Sequence, residues 1–365
     1  MTDTEFEQFL RQMSKEELDK WLMIKGQPFD SFANALAGES IANLAPPFEE
    51  YINYTGSLID FYKDFFHQYL QSLENIDSNT WEFVNCSMGA FIRYNGGPSI
   101  DFDLVEECKM LIEAIIKSLS AYLDGSPYMA YRIFENAFVA QNSHLLNTLP
   151  QIQYLGPLYR VRGERDLSTK KELFHTPFES RNCCGSYRYS ILGYPSLYLS
   201  GAIETALKEC RIIDNQYSVM LFRNKDVLQC VDLSLPNRKL AFWERYSLVL
   251  FYPLIFACSL KVKEENKPFK PEYVIPQLLF QVVSECSNLM GVSYTSTRVN
   301  NPDYRNAEQR NFVLKVPKAY KAKGQSEELA DRFECTMPIS PDDTELPQAV
   351  EKRLRGMEVS KIKLS

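Results

Sequence analysis

Residues 187–210 read Tyr-Arg-Tyr-Ser-Ile-Leu-Gly-Tyr-Pro-Ser-Leu-Tyr-Leu-Ser-Gly-Ala-Ile-Glu-Thr-Ala-Leu-Lys-Glu-Cys. The β-prone run Tyr187 to Leu192, the turn Gly193-Tyr194-Pro195 and the run Ser196 to Leu199 predict two short strands. From Gly201 to Ile213 the pattern predicts a helix, with Ser200 as its N-cap. Tyr198 then stands at a strand end beside a helix start. Free N–H groups and the positive end of the helix dipole favour an anion there. Arg188, one strand earlier, would add a guanidinium, so this segment suits a phosphate or pyrophosphate.

Working outward, the chain after Pro150 keeps the same texture, with short β-prone runs broken by Gly, Pro and Asn: Leu158 to Val161, Ser218 to Phe222 and Asn311 to Val316. A helix is predicted at Pro271 to Asn288, and the strands lack regular βαβ spacing, so the class is α+β with a mixed sheet. Beyond Ala319 the chain is charged, and Val350 to Leu364 reads as a peripheral helix. Before Pro150 the pattern is helical. Thr4 to Leu22 is one stretch, within which Ser14 and Glu17 fit the capping box of a second short helix. Pro46-Pro47 opens a second candidate, Phe48 to Leu73, and Met129 to Leu146 is a further one. In Asp103 to Leu123 the apolar Leu104, Cys108, Leu111, Ile112, Ile115 and Leu119 recur at three- and four-residue steps. The aromatic positions Phe61, Tyr62, Phe65, Phe66 and Tyr69 read as core.

The predicted division is a helical accessory or regulatory domain over 1–150, a catalytic domain over 151–320 and a charged tail over 321–365. Charge supports it. Residues 1–150 hold nine Lys/Arg against twenty-two Asp/Glu, a net of −13, whereas the rest of the chain carries +6 within a total of −7. The acidic half disfavours nonspecific nucleic-acid binding, and the mildly basic half would attract a small anion.

The 365 residues, 45% hydrophobic and 24% charged, have an ordinary globular composition. The apolar run Leu248 to Leu260 contains Pro253 and falls short of the roughly twenty residues of a membrane span. The N-terminus lacks a signal peptide's basic start and apolar core, so a cytoplasmic protein with reduced cysteines is expected. Nine cysteines form no C-x-x-C pair, and the three histidines, His67, His144 and His175, are far apart, so no metal site is expected. There is no P-loop, no dinucleotide-binding glycine fingerprint and no G-x-S-x-G elbow.

Several pieces in order resemble the RES domain, a bacterial family named for its Arg, Glu and Ser residues. Leu158-Tyr159-Arg160-Val161 resembles its opening strand, and Tyr187-Arg188-Tyr189 its second, arginine-bearing segment. Tyr198-Leu199-Ser200, followed by Glu204-Thr205-Ala206 and Glu209, is similar to its tyrosine and the acidic residue eleven positions later. Gly291-Val292-Ser293-Tyr294-Thr295-Ser296 resembles its serine-bearing segment, and Asn311-Phe312-Val313-Leu314 its closing strand. The resemblance implies an ADP-ribosyltransferase-like fold, a pair of packed mixed sheets flanked by helices and preceded here by an all-α domain. It also implies cleavage of NAD at the nicotinamide–ribose bond by a growth-arresting toxin, with NAD as substrate rather than resident cofactor and phosphate as a possible co-substrate. A restraining antitoxin or regulatory protein is the implied partner, and a homo-oligomer stays open.

The chemistry asks for few groups. Nicotinamide leaves as a neutral molecule and needs no acid catalyst, while the ribose becomes oxocarbenium-like and needs a carboxylate. Glu209 matches the family spacing for that role; Glu204, about 140° away round the helix, points elsewhere. Arg160 is either a surface strand arginine or a bidentate pyrophosphate contact, with Arg188 and Tyr187 as further binding candidates. Tyr198 either stacks on nicotinamide or packs as core. Ser296, with no histidine near it in sequence, is read as a hydroxyl that bonds ribose or orients Glu209, or as a local backbone partner. Water as acceptor makes a glycohydrolase and phosphate a phosphorylase. An ADP-ribosyltransferase acting on a macromolecule, and a non-catalytic scaffold with the same fold, are the alternatives.

Overall fold

The computed structural model describes residues 14, 27–36, 48, 50–94, 103–139, 145–235, 240–299, 307–317 and 323–364. Of the helical stretch read over Thr4 to Leu22 only Ser14 is among them, and the rest, Glu17 included, lies outside. The chain divides into two compact units, one of Met1–Pro150 with Arg238–Ala257, the other of Gln151–Asn237 with Cys258–Ser365.

The first unit is helical: α1 (Gln27–Leu36), α2 (Glu50–Asn53), α3 (Leu58–Glu74), α4 (Ser78–Tyr94), α5 (Leu104–Leu123), α6 (Pro127–Val139) and α7 (Leu145–Thr148). The stretch Phe48 to Leu73, read as one helix, is broken after Asn53, because Ser57 and Asp60 form a capping box that starts α3 afresh. Asp103 caps α5 with bonds from the N–H groups of Val105 and Glu106. The chain then supplies α8 (Ile203–Cys210) to the second unit before α9 (Phe242–Ser259), whose residues through Ala257 belong to the helical unit. The apolar run noted in the sequence is therefore a buried core helix, apolar all round. Pro253 has no N–H to give the Val249 carbonyl four residues back. The Tyr69 hydroxyl donates to that carbonyl at 2.5 Å, and the Cys108 thiol at 3.8 Å. No described helix is long and apolar enough to cross a membrane.

The second unit is built on nine strands: β1 (Gln151–Tyr154), β2 (Pro157–Arg162), β3 (Ser196–Ser200), β4 (Ser218–Asn224), β5 (Leu228–Asp232), β6 (Gly291–Thr295), β7 (Arg310–Lys315), β8 (Phe333–Cys335) and β9 (Ser360–Lys361). They form one mixed sheet in the order β1-β5-β6-β7-β3-β2-β4-β8-β9, with β5 and β6 parallel and every other neighbouring pair antiparallel. The fold is α+β. The two packed sheets implied by the resemblance are here two halves of one sheet, joined between β2 and β3 at a single register position, Tyr159 opposite Ser200. The sheet curls, because one apolar cluster takes Leu158, Leu199, Phe222, Phe312 and Cys335 from strands across its whole width. Alternation along β3 and β7 puts Leu197, Leu199, Phe312 and Leu314 into that cluster and turns Tyr198, Ser200, Asn311 and Val313 to the other face.

Two expectations need correction. The run Tyr187 to Leu192 is not a strand: the Ser190 hydroxyl accepts from the Tyr187 N–H and donates to its carbonyl, closing a local turn, and only the bridge Ile191–Tyr194 remains. Nor are residues 321–365 a charged tail. They supply α11 (Glu327–Ala330), β8, α12 (Pro347–Arg355) and β9, while α10 (Val274–Glu285) precedes β6. The helix read over Val350 to Leu364 stops at Gly356, and the chain turns into β9. Buried Lys170 holds this end of the sheet, its ammonium donating to the carbonyls of Cys335 and Ser360 at 2.5 and 2.6 Å.

Candidate functional site

The site begins at the junction between β3 and α8. Gly201 lets the chain pass close to the residues that open β7: a Cβ there would lie 2.4 Å from the Ala307 carbonyl oxygen, and its N–H donates to the Arg310 carbonyl at 2.8 Å. The Thr205 hydroxyl, donating to the Glu308 carbonyl at 2.7 Å, pins the first turn of α8 to the same segment. Ala202, not Ser200, is the N-cap of α8. The Ser200 hydroxyl is instead directed across the β3–β7 ladder, where it donates to Asn311 Oδ1 at 2.6 Å. Arg211 ends α8 in the left-handed conformation, with φ 56°.

This docking carries Glu209, in the last turn of α8, to the ends of β6 and β7. Its Oε1 accepts from Asn311 Nδ2 and from the Ser296 hydroxyl, each at 2.7 Å. Its Oε2 lies 3.5 Å from Arg298 Nε. Ser296 itself accepts from the Arg298 N–H at 3.2 Å, so its own proton is directed at the carboxylate. Asn311 and Ser296 are buried, whereas the Glu209 side chain keeps 26% of its exposure. The result is a carboxylate held from behind and open in front. Arg298 also reaches Glu265 at 3.1 Å, and Glu265 pairs with Arg211.

Aromatic rings stand beside the carboxylate. Tyr198 donates its hydroxyl to the Tyr189 carbonyl, and the half-exposed Tyr187 ring meets it edge-on at 5.9 Å. Burial pushes the Tyr198 phenol well above its ordinary range, and the Glu209 carboxylate adds to the effect. Tyr294 is raised in the same way, first by burial and then by Glu209. Both phenols stay neutral at physiological pH. Where β2 and β3 part, Arg160 fills the gap, donating Nη1 to the Tyr198 carbonyl at 3.1 Å. Burial pushes its guanidinium down to about 10, which leaves it charged at neutral pH.

The structure thus gathers Glu209, Ser296, Ser200, Tyr198, Tyr187 and Arg160 around the split in the sheet. Arg188 is differently employed. Buried, it donates to the carbonyls of Cys258 and Leu260 at 3.0 and 2.9 Å and to the Thr297 hydroxyl at 3.3 Å, with its guanidinium 5.1 Å from the Tyr273 ring centre. Those contacts make it a wall element rather than an open anion contact. Glu204 is exposed and accepts from Gln348. Asn311 and Arg298 were not singled out from the sequence. Asn311 becomes visible only through its register opposite Ser200, and Arg298 only once Ser296 is seen to bond Glu209. Among the described residues no three His, Cys, Asp or Glu side chains are grouped as metal ligands would be.

Comparison with known proteins finds a Bacillus subtilis (strain 168) protein named "Putative toxin YopC", 28% identical over 268 residues, which are 66% of this chain and 60% of that protein. The chain thus matches about three fifths of the relative's length. No family model and no solved structure matches.

Proposed function

We propose that the protein is a toxin that consumes NAD, with Glu209 as the carboxylate that stabilises the ribosyl cation. The observation that carries this reading is the convergence of the Ser296 hydroxyl and the Asn311 amide on one oxygen of Glu209. An ionised carboxylate in a partly dry setting stabilises nearby positive charge far better than one in water.

In the reaction the bond between ribose C1 and the nicotinamide nitrogen breaks, and its electron pair stays on the nitrogen, which neutralises the pyridinium. Positive charge develops on the ribose C1 and ring oxygen, facing Glu209. Water then adds at C1 and loses a proton to give ADP-ribose, or phosphate adds to give the 1-phosphate. Tyr187 and Tyr198 offer ring surfaces for nicotinamide. Arg160 supplies a positive charge beside them for the pyrophosphate. YopC, whose name carries the word toxin, supports the biological half of the reading, and the RES resemblance the chemical half.

The experiment is incubation of the purified full chain with NAD, with and without inorganic phosphate, following products by mass spectrometry. Nicotinamide with free ADP-ribose is expected of a glycohydrolase, and phosphorylated ADP-ribose formed only with phosphate of a phosphorylase. ADP-ribose attached to added protein would replace both with a transferase. No nicotinamide release under any condition, with the protein folded, would overturn the enzymatic reading.

A further inference from the structure

A carboxylate only accepts hydrogen bonds, so the Asn311 group facing Glu209 Oε1 at 2.7 Å has to be the NH2. Its carbonyl oxygen is thereby turned to Ser200, whose hydroxyl, 2.6 Å away, has to donate. Both residues are at least nine-tenths buried, and they face each other in the β3–β7 register. The chain Ser200 to Asn311 to Glu209 can therefore run in one direction only. Ser296 adds a second donor to the same Oε1. Oε2 keeps the longer, 3.5 Å contact with Arg298, a side chain that Glu265 also holds at 3.1 Å.

We infer that Asn311 is a positioning residue, oriented by Ser200, that anchors Oε1 of Glu209 to the sheet and leaves Oε2 as the oxygen presented to substrate. This rests on the reading of Glu209 as the charge-stabilising carboxylate. A carboxylate with one oxygen fixed cannot rotate, so Oε2 sits ready before substrate arrives and no reorganisation is needed as charge develops.

The test compares Asn311→Leu, Asn311→Asp, Ser200→Ala and the Ser200→Ala/Asn311→Leu double variant, with thermal melting to confirm folding. Removing the amide donor lowers kcat by about a hundredfold, the scale of one lost preorganised donor, with KM held within about threefold. Asn311→Asp sets a second carboxyl against Oε1, so the pair gives up its last proton at higher pH, and the acid limb of the pH–rate profile moves up by about one unit. Ser200→Ala lowers kcat about fivefold alone and adds nothing further in the Asn311→Leu background, because its only route to Glu209 is gone. An acid limb unmoved in folded Asn311→Asp, or fully additive effects of the two sites, would overturn the inference. Should the wild type release no nicotinamide, the carbon-13 titration of Glu209, assigned with Glu209→Gln, reads the same point without turnover. An upward shift of its titration in Asn311→Asp then sustains the anchoring, and no shift refutes it.

Discussion

The two faces of the β3–β7 ladder treat buried polar groups in opposite ways. On the apolar-cluster side, His175 is fully buried beside Phe174 and Phe178. Its Nδ1 bonds the Thr176 carbonyl at 2.8 Å, and its Nε2 accepts from the Ser326 N–H at 2.8 Å. Lys170 likewise donates to backbone carbonyls, and to the hydroxyl of Ser360 beside one of them. On the other face, Ser200, Asn311 and Ser296 bond side chains, and all lead to one carboxylate that remains partly exposed. Polar groups that satisfy the backbone hold the fold in place, and removing them costs stability. Polar groups that converge on a single ionisable side chain orient that side chain, and under the proposed function removing them is expected to cost activity. Arg188 stands near the site yet belongs with the first kind, since its hydrogen bonds go to two backbone carbonyls and a hydroxyl.

The largest expected effect is that of Glu209→Gln, which removes the charge and keeps the shape. Nicotinamide release should fall by at least about a hundredfold with an unchanged melting temperature. Unchanged turnover would erase the distinction between the two faces.

Next comes pH. Burial pushes His175 down from 6.5 to about 4, so the folded protein holds it neutral where the unfolded chain would protonate it. Its contribution to stability is complete above pH 6.5 and is lost as pH falls through the interval to 4, by about 3 kcal/mol in all. Urea unfolding at pH 7 and pH 4.5 measures the loss, and a His175→Gln variant should be less sensitive to the same change. Equal pH dependence in the two proteins would remove His175 from the account.

Arg188→Lys sharpens the assignment of that arginine. An ammonium cannot reproduce the planar fork that serves the Cys258 and Leu260 carbonyls, so stability should fall by about 2 kcal/mol. The KM for NAD should move less than threefold; a tenfold rise with stability unchanged would return Arg188 to the binding site. The smallest effect is expected of Glu204→Gln, because that side chain is exposed and five residues from Glu209 on α8. Activity should stay within about twofold of wild type and stability within about 0.5 kcal/mol. A large loss of activity there would move the charge-stabilising role from Glu209 to Glu204.

Much of the architecture was legible in local pattern. The three- and four-residue apolar steps of residues 104–119 lie within α5, and the short β-prone runs at 158–161, 196–199 and 218–222 lie within β2, β3 and β4. The errors came where side chains overruled propensity. Ser190 folded a predicted strand into a turn, and Ser200 left its expected capping role for Asn311. The charged segment beyond Ala319 was misread because β8 and β9 are three and two residues long and gain their place from partners far away in sequence. Of the site, the sequence pointed to Glu209, Tyr198, Ser296 and Arg160, with Ser296 offered either to ribose or to Glu209, but it did not single out Asn311 or Arg298.

What the sequence by itself determined is the class of the fold and the charge contrast between its halves, since periodicity and composition are local properties; Glu209 it offered as a candidate, through the ordered pieces of the resemblance. Only the tertiary structure decided which groups touch that glutamate. Asn311 and Ser296 lie 102 and 87 residues from it along the chain, and they meet because β3, β6 and β7 share a register and Gly201 lets α8 dock against the start of β7. Hydrogen bonds of 2.7 Å depend on that register, and a slip of one residue would turn every one of these side chains to the opposite face.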